Sequence, residues 1–264
     1  MIGSVALLAF GLFSYSGYLY WQKNITEKTI STGGVIVYPT DTFTMTFTAT
    51  MTPTMTPTLV STPEPIFLAP NEVYLSVPFY WQLPLSCEAT SLAMALAYKG
   101  ANPGQQTLID QMGFDNTPIQ KNGSDVIIWG DPYAAFVGNI YGTQYVDGYG
   151  IYWDPVARVG SNYRPTLAFT GWSLAQILTE VQNGNPVIVW GSISGGVDSW
   201  QTEGGREVYA VHGEHTRVVT GFVGTVNNPS LIYVNDPYFG QLALYPSSFW
   251  AFASWFGGAG VVVR

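Results

Sequence analysis

Between Pro39 and Pro65 the chain is dominated by threonine and proline, with Met-Thr-Pro-Thr repeated at Met51 and Met55. Such a stretch cannot bury enough apolar surface to offset the entropy of ordering it, and it tends to stay extended as a stalk or linker. It therefore restricts where a compact fold can form. The sequence divides into an N-terminal apolar segment (1–22), a Thr/Pro-rich linker (23–65) and a domain able to build a core (66–264). Residues 2–21 carry no charge, and their number matches the ~20 residues that cross a bilayer as a helix. The cluster Tyr18, Tyr20 and Trp21 marks a membrane interface. A cleaved signal peptide is the alternative, because Ser14 and Ser16 before Gly17 have the small-residue spacing of a cleavage site. Lys23 and Lys28 behind the segment favour cytoplasmic retention of that end. A threonine-rich stalk nevertheless suits a domain held outside the cell, so the expectation is a membrane-anchored extracellular protein or a secreted one.

Charge excludes one class of partner. With 9 Lys and Arg against 17 Asp and Glu, the formal net charge is -8, which repels nucleic acids. The aromatic content, 9 Trp, 17 Tyr and 14 Phe, is enough for a large core in a single domain. A lone cysteine allows no intramolecular disulfide.

That cysteine, Cys87, follows Ser86 where a loop turns into a helix. Apolar residues Ala89, Leu92, Ala93, Leu96 and Ala97 recur at helical spacing and Gly100 ends the run, which predicts a helix over about 87–98. Ser86 is a favourable N-cap. In the first turn the free amides and the helix dipole are expected to lower a thiol pKa from about 8.5 toward neutrality. The alternative is a buried structural cysteine. The chain's two histidines, His212 and His215, fall in one segment, Val211-His212-Gly213-Glu214-His215. The β-branched run from His215 to Thr220 reads as a strand, and Leu231–Asn235 as its hairpin partner, with Asp236-Pro237 as the turn at its exit. Such a hairpin sets Asp236 beside His215, where it would fix the ring tautomer and leave the other nitrogen for the thiol. Glu214, next to the base, either raises its pKa or points to solvent. A His-x-x-His pair on a glycine-containing loop lacks the helical support of usual zinc sites, so no metal and no cofactor are expected.

With these residues the chain resembles the peptidase family 39-like proteins, papain-like cysteine peptidases related to the enzymes that cut double-glycine leaders from bacteriocins. The resemblance is carried by Val77–Gln82 with Pro84–Leu96, by Trp129–Asn139, by Gly148–Tyr152 and by Gly184–Trp190, and covers roughly residues 72–264. It implies Cys87 as nucleophile, His215 as general base and acid, Asp236 as orienting carboxylate, and Gln82 as oxyanion donor together with a backbone N–H. Glu88 departs from the glycine that leader-cutting members carry after the cysteine, and no phosphate-loop motif is present, so leader cleavage coupled to export is not expected.

The implied fold is α+β and papain-like, with an N-terminal helical part followed by an antiparallel sheet. A second helix is read at 173–182, and strands at 186–191, 215–222, 231–235 and 260–263. Tyr133, Phe136, Tyr149, Tyr152, Trp153, Trp172 and Trp190 line either a peptide groove or the core. The functional expectation is a monomeric cysteine peptidase acting on peptide or protein substrates. Two alternatives remain: an inactive cell-wall- or peptide-binding module, and a thiol-dependent amidase or transpeptidase.

Overall fold

The computed structural model describes residues 71–264. The apolar segment 1–22, the linker 23–65 and residues 66–70 lie outside the described residues. Among the described residues, no helix is long and apolar enough to cross a membrane.

The first half of the domain runs β1 (Glu72–Tyr74), α1 (Cys87–Tyr98), α2 (Gln105–Met112), β2 (Phe114–Asp115), β3 (Gln120–Asn122), β4 (Asp125–Ile128), β5 (Phe136–Val137) and α3 (Trp153–Gly160). The second half runs β6 (Thr166–Phe169), α4 (Leu174–Gln182), β7 (Val187–Ser192), β8 (Val197–Gln201), β9 (Glu207–Val211), β10 (Glu214–Thr225), β11 (Asn228–Asp236), β12 (Gly240–Leu244), α5 (Pro246–Ala253) and β13 (Gly260–Val263). Seven strands form one antiparallel sheet in the order β12-β11-β10-β7-β13-β6, with β1 also paired to β10. A second sheet, β3-β4-β8-β9, and a short parallel pair, β2-β5, complete the domain.

Strand β7 explains why the sheet is central. Its sequence Val-Ile-Val-Trp-Gly-Ser is buried at every position, the signature of a strand covered on both faces. Helices α1 and α5 both pack against it. Gly191 in β7 lets α5 come close: a Cβ there would stand 2.5 Å from the Phe252 ring. Gly191 is also the cross-strand partner of His215 in β10. The missing side chain thus sets Phe252 on the face that carries His215.

Helix α1 has the predicted limits, but its setting differs from an ordinary amphipathic surface helix. All ten residues from Cys87 to Leu96 are buried. Ser86 occupies the N-cap position without capping through its side chain. Its Oγ accepts the Leu83 N–H at 2.9 Å and lies 3.2 Å from Thr90 Oγ1, so it folds the preceding loop rather than closing the helix end. Helix α4 begins one residue after the expected start, because Ser173 is its N-cap and forms a reciprocal capping box with Gln176.

Helices and a large antiparallel sheet give the α+β class that was expected. The simple succession of a helical part and then a sheet does not hold. Strand β1 precedes the first helix and joins β10, and α5 intervenes between β12 and β13. The small sheet was missed because β3 is exposed throughout and β4 reaches β8 across some seventy residues of sequence. The aromatic residues are resolved mostly as core: Phe136, Tyr149, Tyr152, Trp153 and Trp190 are buried, and Tyr133 and Trp172 are half-buried against them.

Candidate active site

Strand β10 enters the sheet beside the first turn of α1. Alternation along it places Glu214 and Thr216 on one face and His215 and Arg217 on the other. Thr216 points to α1, where its hydroxyl lies 3.0 Å from Ser91 Oγ. Arg217 points to α5, with its guanidinium 3.9 Å from the centre of the Phe252 ring. Phe252 and Phe239 each meet the His215 ring edge-on.

The base side of the site is fully bonded. His215 Nε2 donates to Asp236 Oδ1 at 2.8 Å. The same oxygen accepts the backbone N–H groups of Tyr238 and Phe239 at 2.9 and 3.0 Å, while Oδ2 accepts from Arg217 Nε at 2.7 Å. Burial would raise the Asp236 pKa, but His215 and Arg217 outweigh it and hold the carboxylate well below its usual range. With Nε2 committed to Asp236, Nδ1 is the ring nitrogen left to exchange a proton.

Cys87 lies at the other wall of a cavity of about 170 Å³ that Gln82, Leu85, Gln144, Glu214, His215 and Tyr238 also line. Two larger hollows of about 590 and 680 Å³ contain neither a cysteine nor a histidine, so size does not mark this site; chemistry does. The loop carrying Gln82 is tied from three sides. Its backbone N–H donates to Pro237 O at 3.1 Å, Gln105 holds Trp81 O at 3.1 Å, and Ser86 holds Leu83. The Gln82 amide itself donates to Pro84 O at 3.0 Å, and its Oε1 is buried without a partner among the described residues. The first-turn amides of α1 have no side-chain cap, which leaves them as donors.

The thiol differs from expectation. Burial, and then the carboxylates of Glu88 and Glu214, push the Cys87 pKa well above its usual value, against a smaller opposite effect of Thr216. A helix N-terminus offers partial positive charge, but it does not overcome desolvation together with two acidic neighbours. The Cys87 thiol donates to Glu88 Oε2 at 3.4 Å. Glu88 is itself pushed up to about 7 by burial, partly offset by the Ile151 N–H that it accepts at 2.8 Å. Glu214 is likewise held well above its ordinary value, first by burial and then by Glu88.

The structure therefore brings Cys87, His215 and Gln82 to one cavity and binds Asp236 to His215. His212 stays apart: it is half-exposed, stacks on Tyr145 with ring centres 4.3 Å apart, and has Asp198 4.0 Å away. Sequence reasoning missed Arg217, although its position two residues after His215 put it on the same strand face. It also left Glu214 open between base and solvent; Glu214 is buried beside the thiol instead. The signal for Glu88 was available, since it is the only charged residue from Cys87 to Tyr98.

The model of the Peptidase_C39 like family matches residues 74–254. This chain belongs to that family. The uncharacterised protein YvpB of Bacillus subtilis is 29% identical over 158 residues, 58% of each chain, so the match spans a little over half of YvpB. The crystal structure of a proposed C39-like peptidase from Bacillus anthracis superimposes with a TM-score of 0.60 at 26% identity, over 73% of this chain and 97% of the other. The family match and the structural likeness agree with a cysteine-peptidase-like fold for the C39-like domain described here.

Proposed function

We propose that this C39-like protein is a papain-like cysteine peptidase that cuts peptide bonds by a Cys87–His215–Asp236 mechanism. The observation that carries the reading is the fully bonded Asp236, which fixes the His215 ring through Nε2 in the cavity that Cys87 shares. Cys87 rests as a neutral thiol. As Sγ attacks the scissile carbonyl, Nδ1 of His215 takes its proton, and the imidazolium later passes that proton to the leaving amine. Asp236 orients the ring and stabilises its charged form, and Arg217 positions Asp236. A first-turn amide of α1 and the Gln82 side chain, once swung from Pro84 O, receive the oxyanion. The exposed side chains of Ile193 and Tyr238 at the cavity offer an apolar surface to an extended peptide. No cofactor takes part in these steps. The apolar segment and the Thr/Pro-rich linker support a monomer tethered at the outer face of a membrane, or secreted, with a peptide rather than a nucleic acid as partner.

The test is hydrolysis of a diverse peptide library by the full-length protein, with Cys87→Ala and His215→Ala as controls. Cleavage that falls at least about a thousandfold in both variants supports the reading. Cleavage that survives Cys87→Ala sinks it. No cleavage of any peptide, with Cys87 alkylated at one rate in native protein and His215→Ala, would favour a binding module. Products that carry an added primary amine would favour acyl transfer.

A further inference from the structure

Peptide hydrolysis leaves the acidic surroundings of Cys87 without a role. Cys87 Sγ and one carboxylate oxygen each from Glu88 and Glu214 lie within 4.8 Å of one another, and all three residues are buried. Glu214 is only 5% exposed, and its Oε1 has no hydrogen-bond partner among the described residues. Among the described residues, the ion pairs include neither glutamate. Buried carboxylates keep their charge only when paired, hydrogen-bonded or bound to a metal.

Space at this point is kept open by Gly150. A Cβ there would stand 2.5 Å from Glu214 Oε2 and 2.7 Å from Glu88 Oε1. The Ile151 N–H fixes Glu88 Oε1, which leaves Oε2 turned toward the sulfur.

We infer that Cys87, Glu88 and Glu214 form a binding site for one divalent cation of borderline softness, with zinc the best fit. A thiolate with two carboxylates suits zinc, whose bonds to sulfur and oxygen are about 2.3 and 2.0–2.2 Å, whereas calcium and magnesium take oxygen ligands alone. Small side-chain rotations bring three atoms at this spacing around one ion, and the cavity supplies a fourth position for water. On binding, the Cys87 S–H bond breaks and its proton leaves to solvent together with any proton held by the Glu88 and Glu214 carboxyls, and the freed sulfur and oxygen electron pairs form the bonds to the metal. The same sulfur pair is the one that would attack a carbonyl, so the ion blocks hydrolysis; this second half rests on the peptidase reading, and the binding itself does not.

The test uses full-length protein, reduced and stripped with a chelator, titrated with cobalt(II) and then zinc. The expected result is one equivalent bound, a thiolate-to-cobalt charge-transfer band in the near ultraviolet, and loss of that band as zinc displaces cobalt. Cys87→Ser should abolish the band, and Glu214→Gln and Glu88→Gln should each weaken binding by about a hundredfold or more. Circular dichroism of the neutral glutamine variants checks that they fold. No band in the native protein, or native affinity retained in both glutamine variants, overturns the inference and leaves the two carboxyls holding protons only. A band without peptide cleavage would retain the metal site and sink the peptidase reading; cleavage that zinc does not inhibit, with no band, would do the reverse.

Discussion

The two walls of the cavity are built on opposite electrostatic plans. On the His215 side every polar atom of Asp236 has a partner, two of them cationic or able to become so. On the Cys87 side two carboxyls and a thiol are buried together, and Glu214 Oε1 has no hydrogen-bond partner among the described residues. The first wall holds an orientation by satisfied bonds. The second holds groups whose charged forms burial opposes, so its state depends on what neutralises them.

The largest expected effect comes from breaking the satisfied wall. Asp236→Ala would leave Arg217 and His215 without their shared acceptor, and removing one partner of a buried pair costs about 3–5 kcal/mol. Urea unfolding should show that loss, whereas Glu214→Gln, which removes an unpartnered acid, should cost nothing or stabilise. Equal losses in the two variants would erase the contrast.

Gly150→Ala probes the crowded wall by volume instead of charge. Its methyl would press on both glutamates, and overpacking of this kind costs about 1–3 kcal/mol. Truncating Glu214 to Ala should relieve much of that loss in the double variant, and a purely additive cycle would show that the carboxylates are not what Gly150 accommodates.

The walls should also respond oppositely to pH in chelator-treated protein. Asp236 is depressed below its ordinary 3.8, so its contribution is present above that pH and is lost as pH falls below it. Glu88 is raised from 4.5 to about 7, so the folded protein holds a proton that the unfolded chain releases. Its favourable share is complete below pH 4.5 and declines as pH rises toward 7. Unfolding free energies measured from pH 4.5 to 8 should therefore fall in the native protein and fall less steeply in Glu88→Gln, where buried Glu214 still contributes a decline of the same sign. A native profile that rises over this range would contradict the assignment.

The smallest effect is kinetic. Arg217→Lys keeps a charge near Asp236 but loses the planar donor, and kcat is expected to drop about tenfold, roughly 1.4 kcal/mol, with little change in KM. A change confined to KM would mean that Arg217 acts on substrate rather than through Asp236.

Legibility followed the same division. The His215–Asp236 pairing was readable because it is local: two strands joined by a short turn, with Asn-Asp-Pro at the exit. Helix α1 was readable from its apolar spacing and from Gly100, though not its enclosure on all sides. What stayed hidden was produced by distant packing. Glu214 meets Glu88 only because β10 lies against α1, and no periodicity along either segment encodes that meeting. The small sheet likewise depends on β4 finding β8, and its strand β3 carries no buried residue to announce it. Arg217 was within reach, because period-two alternation from His215 names it directly.

The position of β13 has a consequence for timing. Residues 260–263 lie inside the large sheet, between β7 and β6, while β7 in turn supports the strand that carries His215. A ribosome working at ~5–20 residues per second makes Cys87 on the order of ten seconds or more before it makes β13. Until then β7 lacks one of its flanking strands. From the emergence of Cys87 to that of β13, the nascent chain thus carries its thiol without the finished sheet that holds the base opposite it.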